Sequence, residues 1–252
     1  MSLAQMVALR NQIAYPSGGM RDRVCVVTGV GPGTGAALVR RFADDGYRVA
    51  MLARERVRLE KLAAEIAGAV PFPTDVADLD ALRATLARVR AELGAPSVLL
   101  YNAVAGGFGS FESVTPEALE QRFRVNVSAL LVAAQELSPA MVEAGRGAIV
   151  VTGNTSAWRG KAAFAGFAPT KAAQRVLCES LARALGPKGV HVAYVVIDAV
   201  IDVPWTRQAF PDRPDSFFIR PRGIADAVHH VAHQERSAWT FELDLRPFGE
   251  SW

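Results

Sequence analysis

The sequence predicts one doubly wound α/β domain, a parallel seven-stranded sheet with helices on both faces. Three observations predict it. Short β-branched runs alternate with segments of helical spacing along almost the whole chain. A glycine-rich turn joins the first run to the first helix. No linker and no repeat of fixed period divides the body, residues 21–252. Strands separated by helices need right-handed crossovers, and these give a parallel sheet covered on both sides.

Residues 1–20 read as an extension, with a short amphipathic helix over 1–15 and a linker over 16–19. The run 23–28 (RVCVVT) suits a strand buried on both faces. A helix follows the glycine turn to about residue 45, and 47–53 (YRVAMLA) is the second strand. Residues 56–67 have helical spacing, and 69–72 form a third strand ended by proline. Residues 78–93 are helical with Asp78 as N-cap, and 98–102 are the fourth strand. Thr115-Pro116-Glu117 starts a helix that runs towards Gly145, with Pro139 as an interior break or kink. Strands at 148–152 and 190–197 flank a long helix, 167–185, stopped by Gly186 and Pro187. A helix near 223–234 and a strand near 240–245 close the chain.

Composition narrows the function. A chain of 252 residues is long enough to bury about 70–75% of its unfolded surface. Apolar residues make up 50% and charged residues 21%, which excludes a disordered chain. Two cysteines exclude a disulfide-stapled scaffold, and Cys25 and Cys178 read as buried thiols of a reducing compartment. The net charge is only +3 and the arginines are scattered, so no nucleic-acid partner is expected. The start of the chain lacks a basic segment followed by a long apolar run. No stretch approaches the ~20 uninterrupted apolar residues of a membrane span. The expectation is a cytoplasmic protein with a small-molecule substrate.

Ligands of such sheets bind beyond the carboxyl ends of the strands. Thr28-Gly29-Val30-Gly31-Pro32-Gly33-Thr34-Gly35 leaves the first strand and opens a helix. A helix start offers unpaired N–H groups and partial positive charge, and glycines let a pyrophosphate approach the backbone. Gly29, Gly31, Gly33 and Thr34 are therefore candidate dinucleotide contacts. The second strand ends at Arg54, followed by Arg56 and Arg58. An acid there would bind the ribose 2′-hydroxyl of NAD, whereas a guanidinium matches a 2′-phosphate. The residues favour NADP(H) over NAD(H).

These residues resemble the short-chain dehydrogenase/reductase family, whose fold is Rossmann-type, over about residues 21–245. Thr28 to Gly35 is similar to the family's TGxxxGxG. Asp75-Val76 resembles its adenine-contacting pair, and Asn102-Ala103 the middle of its Asn-Asn-Ala-Gly. The resemblance makes Asn126 and Lys171 members of the catalytic set, Lys171 also holding the nicotinamide ribose. It departs at two places. Phe167 stands four residues before Lys171, where the family has its catalytic tyrosine, and Asn154 stands where it has serine. Phenylalanine cannot ionise, so the proton donor is missing, while Asn154 keeps a hydrogen bond for a carbonyl oxygen.

Candidate substitutes are the hydroxyls of Thr155 and Ser156, the phenol of Tyr101, and Asp198. The last stands where the family has Pro-Gly, as a desolvated carboxyl beside the nicotinamide. Each also has a plain structural reading, as a loop, packing or turn residue. Trp205, Phe210, Phe217 and Phe218 fall in residues 199–222, read as an apolar substrate lid or as ordinary packing. His229, His230 and His233 lie on a late helix, and the four-residue spacing of His229 and His233 allows a metal. The expectation is a solvated face and no metal. The tail from Ser237 to Gly249 resembles a bacterial subgroup that shares the Phe-for-Tyr and Ile-Asp departures.

The leading expectation is an NADP(H)-binding oxidoreductase with an altered proton-transfer group, acting on a small, apolar substrate. The alternatives are a redox-neutral cyclase, dehydratase or isomerase, and a non-catalytic cofactor-binding protein. The family resemblance also implies a homodimer or homotetramer formed through helices at about 116–138 and 167–185.

Overall fold

A computed structural model describes residues 23–249, so the extension expected over 1–20 lies outside the described residues. The strands are β1 (Val24–Thr28), β2 (Arg48–Ala53), β3 (Ala69–Pro73), β4 (Pro96–Tyr101), β5 (Gly147–Gly153), β6 (Val190–Ile197), β7 (Val200–Ile201), β8 (Phe218–Ile219) and β9 (Glu242–Leu245). The helices are α1 (Thr34–Asp44), α2 (Arg56–Glu65), α3 (Leu79–Leu93), α4 (Pro116–Phe123), α5 (Ala129–Glu143), α6 (Ala168–Leu185), α7 (Pro204–Ala209) and α8 (Pro221–Ala232). Seven strands form one parallel sheet in the order β3-β2-β1-β4-β5-β6-β9. The order reverses between β1 and β4, which opens a crevice beyond their carboxyl ends.

The apolar runs dictate this arrangement. All five residues of β1 are buried, because side chains alternate between two covered faces. Val24 and Val26 join a core with Leu82 and Leu86 of α3 and Leu130 of α5. Cys25 and Val27 join the opposite core with Leu38 and Phe42 of α1 and Val228 of α8. Both cysteines are buried free thiols. Two helix starts form as their sequences specify. Asp78 Oδ1 accepts from Ala81 N at 3.0 Å, and Thr115 Oγ1 accepts from Ala118 N at 3.2 Å.

Of the break or kink expected at Pro139, the break does not occur, since α5 continues through it. Pro139 and Gln135, whose carbonyl loses its helical partner, are both exposed residues, on the solvent side of the helix. The irregularity lies earlier, in a π-helical turn at Arg124–Ser128. Together the segment Pro116–Glu143 is long and apolar enough to cross a membrane, but half of its most apolar stretch is buried inside the domain. Its apolar side covers β4 and β5 and packs against α3.

The late histidines correct the sequence reading. His230 is exposed, but the side chains of His229 and His233 are only 13% and 18% exposed. His229 Nδ1 lies 2.9 Å from Arg41 Nη2, which only donates, so Nδ1 accepts and Nε2 carries the proton. That Nε2 faces Asp45 Oδ2 at 3.2 Å. His233 Nδ1 donates to His229 O at 2.7 Å, and its Nε2 accepts from Tyr47 Oη at 2.9 Å. Asp45, His229 and His233 bring one potential metal-ligand atom each within 4.8 Å of one another. The proton on His229 Nε2 and the Arg23 guanidinium, 3.2 Å from Asp45, make this a clamp between α8 and the end of α1.

Burial, above all, lowers the pKa of both imidazoles. The unfolded chain therefore binds more protons below about pH 6.5. The clamp contributes stability above that pH and loses it as pH falls through the depressed folded values. Burial tends to raise the Asp45 carboxyl, but the His229 bond and the Arg23 charge outweigh it and hold it low. Its contribution is lost in turn under more acid conditions. Thermal melts at pH about 5.5 and 7.5 should show a lower Tm at the acid value, and His229→Gln should narrow the gap. An unchanged gap would remove the clamp from the account.

Candidate active site

The carboxyl ends of β1, β4 and β5 are bonded into one unit. Thr28 Oγ1 accepts from the N–H groups of Asn102 and Ala103 at 3.1 and 3.2 Å. Asn102 Nδ2 donates to Gly29 O at 2.9 Å, and Thr152 Oγ1 donates to Asn102 Oδ1 at 3.0 Å. Gly29 has φ +69°, and a Cβ there would lie 2.6 Å from the Ala103 backbone, so only glycine fits. A Cβ at Gly33 would meet Val203 at 2.8 Å, whereas at Gly31 it would meet nothing within 4 Å. The turn thus faces open space at Gly31.

Helix α1 starts there with no side-chain cap and no acid in its first turn. Thr34 Oγ1 is buried without a partner. An uncapped helix start beside an orphaned hydroxyl fits an anionic diphosphate. At the end of β2, Arg54 is exposed and makes no ion pair among the described residues. Arg56 and Arg58 are paired with Glu60 (3.5 Å) and Glu55 (3.1 Å). At the end of β3, Asp75 is exposed with Oδ1 accepting from Ala77 N at 3.0 Å, and Val76 is buried in the core.

Below the crevice lies a buried polar chain. The π-helical turn takes the Asn126 carbonyl out of the regular helical ladder, and it accepts from Gln174 Nε2 at 2.7 Å. Gln174 Oε1 accepts from Lys171 Nζ, which also donates to Thr152 O at 3.2 Å. Burial lowers the Lys171 pKa to about 8, with Cys178 pulling the other way. The Asn126 side chain is fully used: Oδ1 accepts from Ala105 N (2.9 Å), and Nδ2 donates to Ala105 O (3.0 Å) and Thr170 Oγ1 (2.8 Å). It positions a loop rather than facing the crevice.

Phe167 caps α6, one turn before Lys171, whose N–H donates to the Phe167 carbonyl at 3.2 Å. Its ring packs on Phe164 at 6.3 Å, and Phe164 on Phe108 at 5.2 Å. Asn154 Oδ1 accepts from Ser156 N at 3.1 Å, so its Nδ2 is the group left to donate.

Family membership now follows from comparison. The sequence profile of the family described as short chain dehydrogenase matches residues 23–213. The chain belongs to the short-chain dehydrogenase family. It is similar to a probable galactose dehydrogenase of Rhizobium meliloti, 33% identical over 72% of this chain and 73% of that protein. D-Erythrulose reductase of Gallus gallus is 34% identical over 70% of this chain and 71% of its own. A metagenomic short-chain oxidoreductase crystallised with NADP superposes with TM-score 0.78 and 29% identity, covering 90% of this chain and 97% of that one.

Set against the short-chain dehydrogenase pattern, three candidate proton donors change character. Asp198 is largely buried, as expected of a desolvated carboxyl, but it is not alone. Oδ1 accepts from Thr155 Oγ1 at 3.1 Å, and Oδ2 is ion-paired with Arg246 (3.1 Å) and Arg159 (3.5 Å). The same bond commits the Thr155 hydroxyl to Asp198. Tyr101 is fully buried and donates to Val125 O, and burial pushes its pKa well up. In the expected lid, β7 pairs with β8, and Phe218 is buried while Trp205 and Phe210 are exposed. Phe217 sits between Phe210 (5.6 Å) and Phe218 (5.1 Å).

Sequence reading missed Gln174, the link between Lys171 and Asn126. Its signal was present. Lys171 and Gln174 are three apart on one helix face, the buried one, which they share with Thr170 and with Ala168, Cys178 and Leu185.

Proposed function

We propose that this short-chain dehydrogenase is an NADP(H)-binding oxidoreductase with a non-standard active site, acting on a small, apolar substrate. One observation carries the reading. Lys171 is held under the crevice by Gln174 and Thr152, while Phe167, one turn earlier, brings no proton to it. A nicotinamide cofactor, when bound, supplies or accepts a hydride. Gly29 to Thr34 and the start of α1 would hold its diphosphate, with Asp75 and Val76 towards adenine. Asn102, Ala103 and Lys171 would hold the nicotinamide side. Arg54, with no carboxylate partner among the described residues, would take a 2′-phosphate and so favours NADP(H).

Asn154 Nδ2 would donate to the substrate's electron-rich atom. Lacking a phenol, the site suits a substrate that needs little acid help, an iminium or an activated alkene. The galactose dehydrogenase and the erythrulose reductase are named for sugars, but this rim is aromatic, with Phe108 80% and Phe111 81% exposed. The absent phenol also favours a second reading, a redox-neutral cyclase, dehydratase or isomerase, or a non-catalytic cofactor binder. Phe167 and the Ile-Asp pair belong, in this proposal, to a shared subgroup state. Self-association through α4–α6, where Leu131 and Val176 are exposed, and a cytoplasmic location complete it.

Nicotinamide fluorescence tests binding, and NADPH consumption with carbonyls, imines and enones tests chemistry. NADPH should bind, and Arg54→Ala should weaken it about 10- to 100-fold while leaving NADH unchanged. No binding of either cofactor would remove the reading. Binding without consumption of NADPH across the panel favours the second reading.

A further inference from the structure

We infer that Arg122 is a receptor for an anionic group on the substrate, so that the cleft takes an apolar molecule with a negatively charged head. This rests on the reading of the crevice as a substrate site.

Arg122 lies near the end of α4, and its guanidinium sits between two loops, from β4 to α4 and from β5 to α6. Gly107 has φ +148°, and a Cβ there would lie 2.6 Å from Arg122 Nη2. A Cβ at Gly166 would fall on Arg122 Nη1. Two glycines therefore make a slot for the planar group, one on each wall. Within it Nη1 is buried and bonds to nothing. Arg122 makes no hydrogen bond or ion pair among the described residues. Glu117 and Glu120 share its helix but stand at spacings that do not face it. Arg48 also has a buried, unbonded Nε, yet its guanidinium is tied to Leu93 O.

Arg122 is half-buried as a whole, but a guanidinium N–H sealed from water with no partner is costly, and native chains seldom keep one without an occupant. The position says which occupant. Gly166 directly precedes Phe167, and the loop that starts at Asn102 crosses Arg122 at Gly107. The two loops are joined by Gly109 N to Ala163 O at 2.8 Å and Ala165 N to Gly109 O at 3.2 Å. The ring series Phe108–Phe164–Phe167 runs along the same pair of loops. An apolar body lies along these rings while its carboxylate, phosphate or sulfate meets the guanidinium fork. Gly106 and Gly107, before Phe108, give that segment the freedom to lift and open the slot from its Nη2 wall.

The test is calorimetry on the full chain saturated with NADPH, using phenylpropionate, its neutral isostere phenylpropionamide, and sulfate. The acid should bind about ten-fold tighter than the amide. Arg122→Gln should abolish that difference, and Arg122→Lys should keep part of it. Equal binding of acid and amide, binding of neither, or a preference that survives Arg122→Gln overturns the inference. Sulfate binding as tightly as the acid assigns the slot to a free anion and overturns the substrate assignment. NADPH binding is read separately by fluorescence. If it fails, the cofactor reading falls, and the acid–amide comparison on the unloaded chain still decides Arg122.

Discussion

The Phe167→Tyr, Asn154→Ser double variant is expected to reduce simple ketones with NADPH about 100- to 10,000-fold faster than the parent. The scaffold for such chemistry is already in place. Lys171 starts one helical turn after position 167, and burial brings its pKa to about 8. A phenol at 167 would therefore stand beside a cation that favours its ionised form, which tunes it for proton transfer near neutral pH. The substitutions are sterically modest. Phe167 retains a little exposure, so an added hydroxyl need not be sealed in the core. A serine at 154 can accept from Ser156 N as the Asn154 amide does now.

The single variants separate the roles. Phe167→Tyr alone should recover part of the gain, because it restores the acid without the second donor. Asn154→Ser alone should recover none, because a hydroxyl of ordinary pKa cannot replace the phenol. Steady-state rates on a ketone panel give the readout. If the parent already reduces these ketones as fast as the double variant, another group delivers the proton and the reading of position 167 fails.

What the sequence disclosed, and what it hid, follows from the range of the interactions. The five buried residues of β1 and the caps at Asp78 and Thr115 are local features, set by neighbours within a few positions. The glycine turn was legible because Gly29 needs both a positive φ and a close backbone neighbour. The His229–His233 face looked solvated because its partners, Arg41 and Asp45, come from the other end of the chain. The ion pair of Asp198 was not legible because Arg246 reaches it only once β9 lies beside β6. Pro139 could be read as a break or a kink because the residue itself does not say whether the helix resumes beyond it. Periodicity says which face is covered, not what covers it.

Asn126→Leu is expected to destabilise the fold by about 2–5 kcal/mol, since it strands up to three buried or half-buried partners. For a chain of this size that corresponds to a Tm lower by roughly 10 °C. Thr170 Oγ1 is fully buried, and Ala105 N and O lose both bonds that fix the loop after β4. Leucine fills similar space but answers none of these groups. The bond between Gln174 Nε2 and the carbonyl of residue 126 uses the backbone, so the substitution leaves it in place. Lys171 therefore keeps its Gln174 anchor, and NADPH affinity measured well below the lowered Tm should change little. The opposite pattern, an unchanged Tm with cofactor binding lost, would mean that the amide faces the crevice and acts on the ligand directly. Asn126→Asp sharpens the distinction. It keeps the acceptor for Ala105 N but sets a carboxylate oxygen against Ala105 O, so a scaffold role predicts a loss of stability here too.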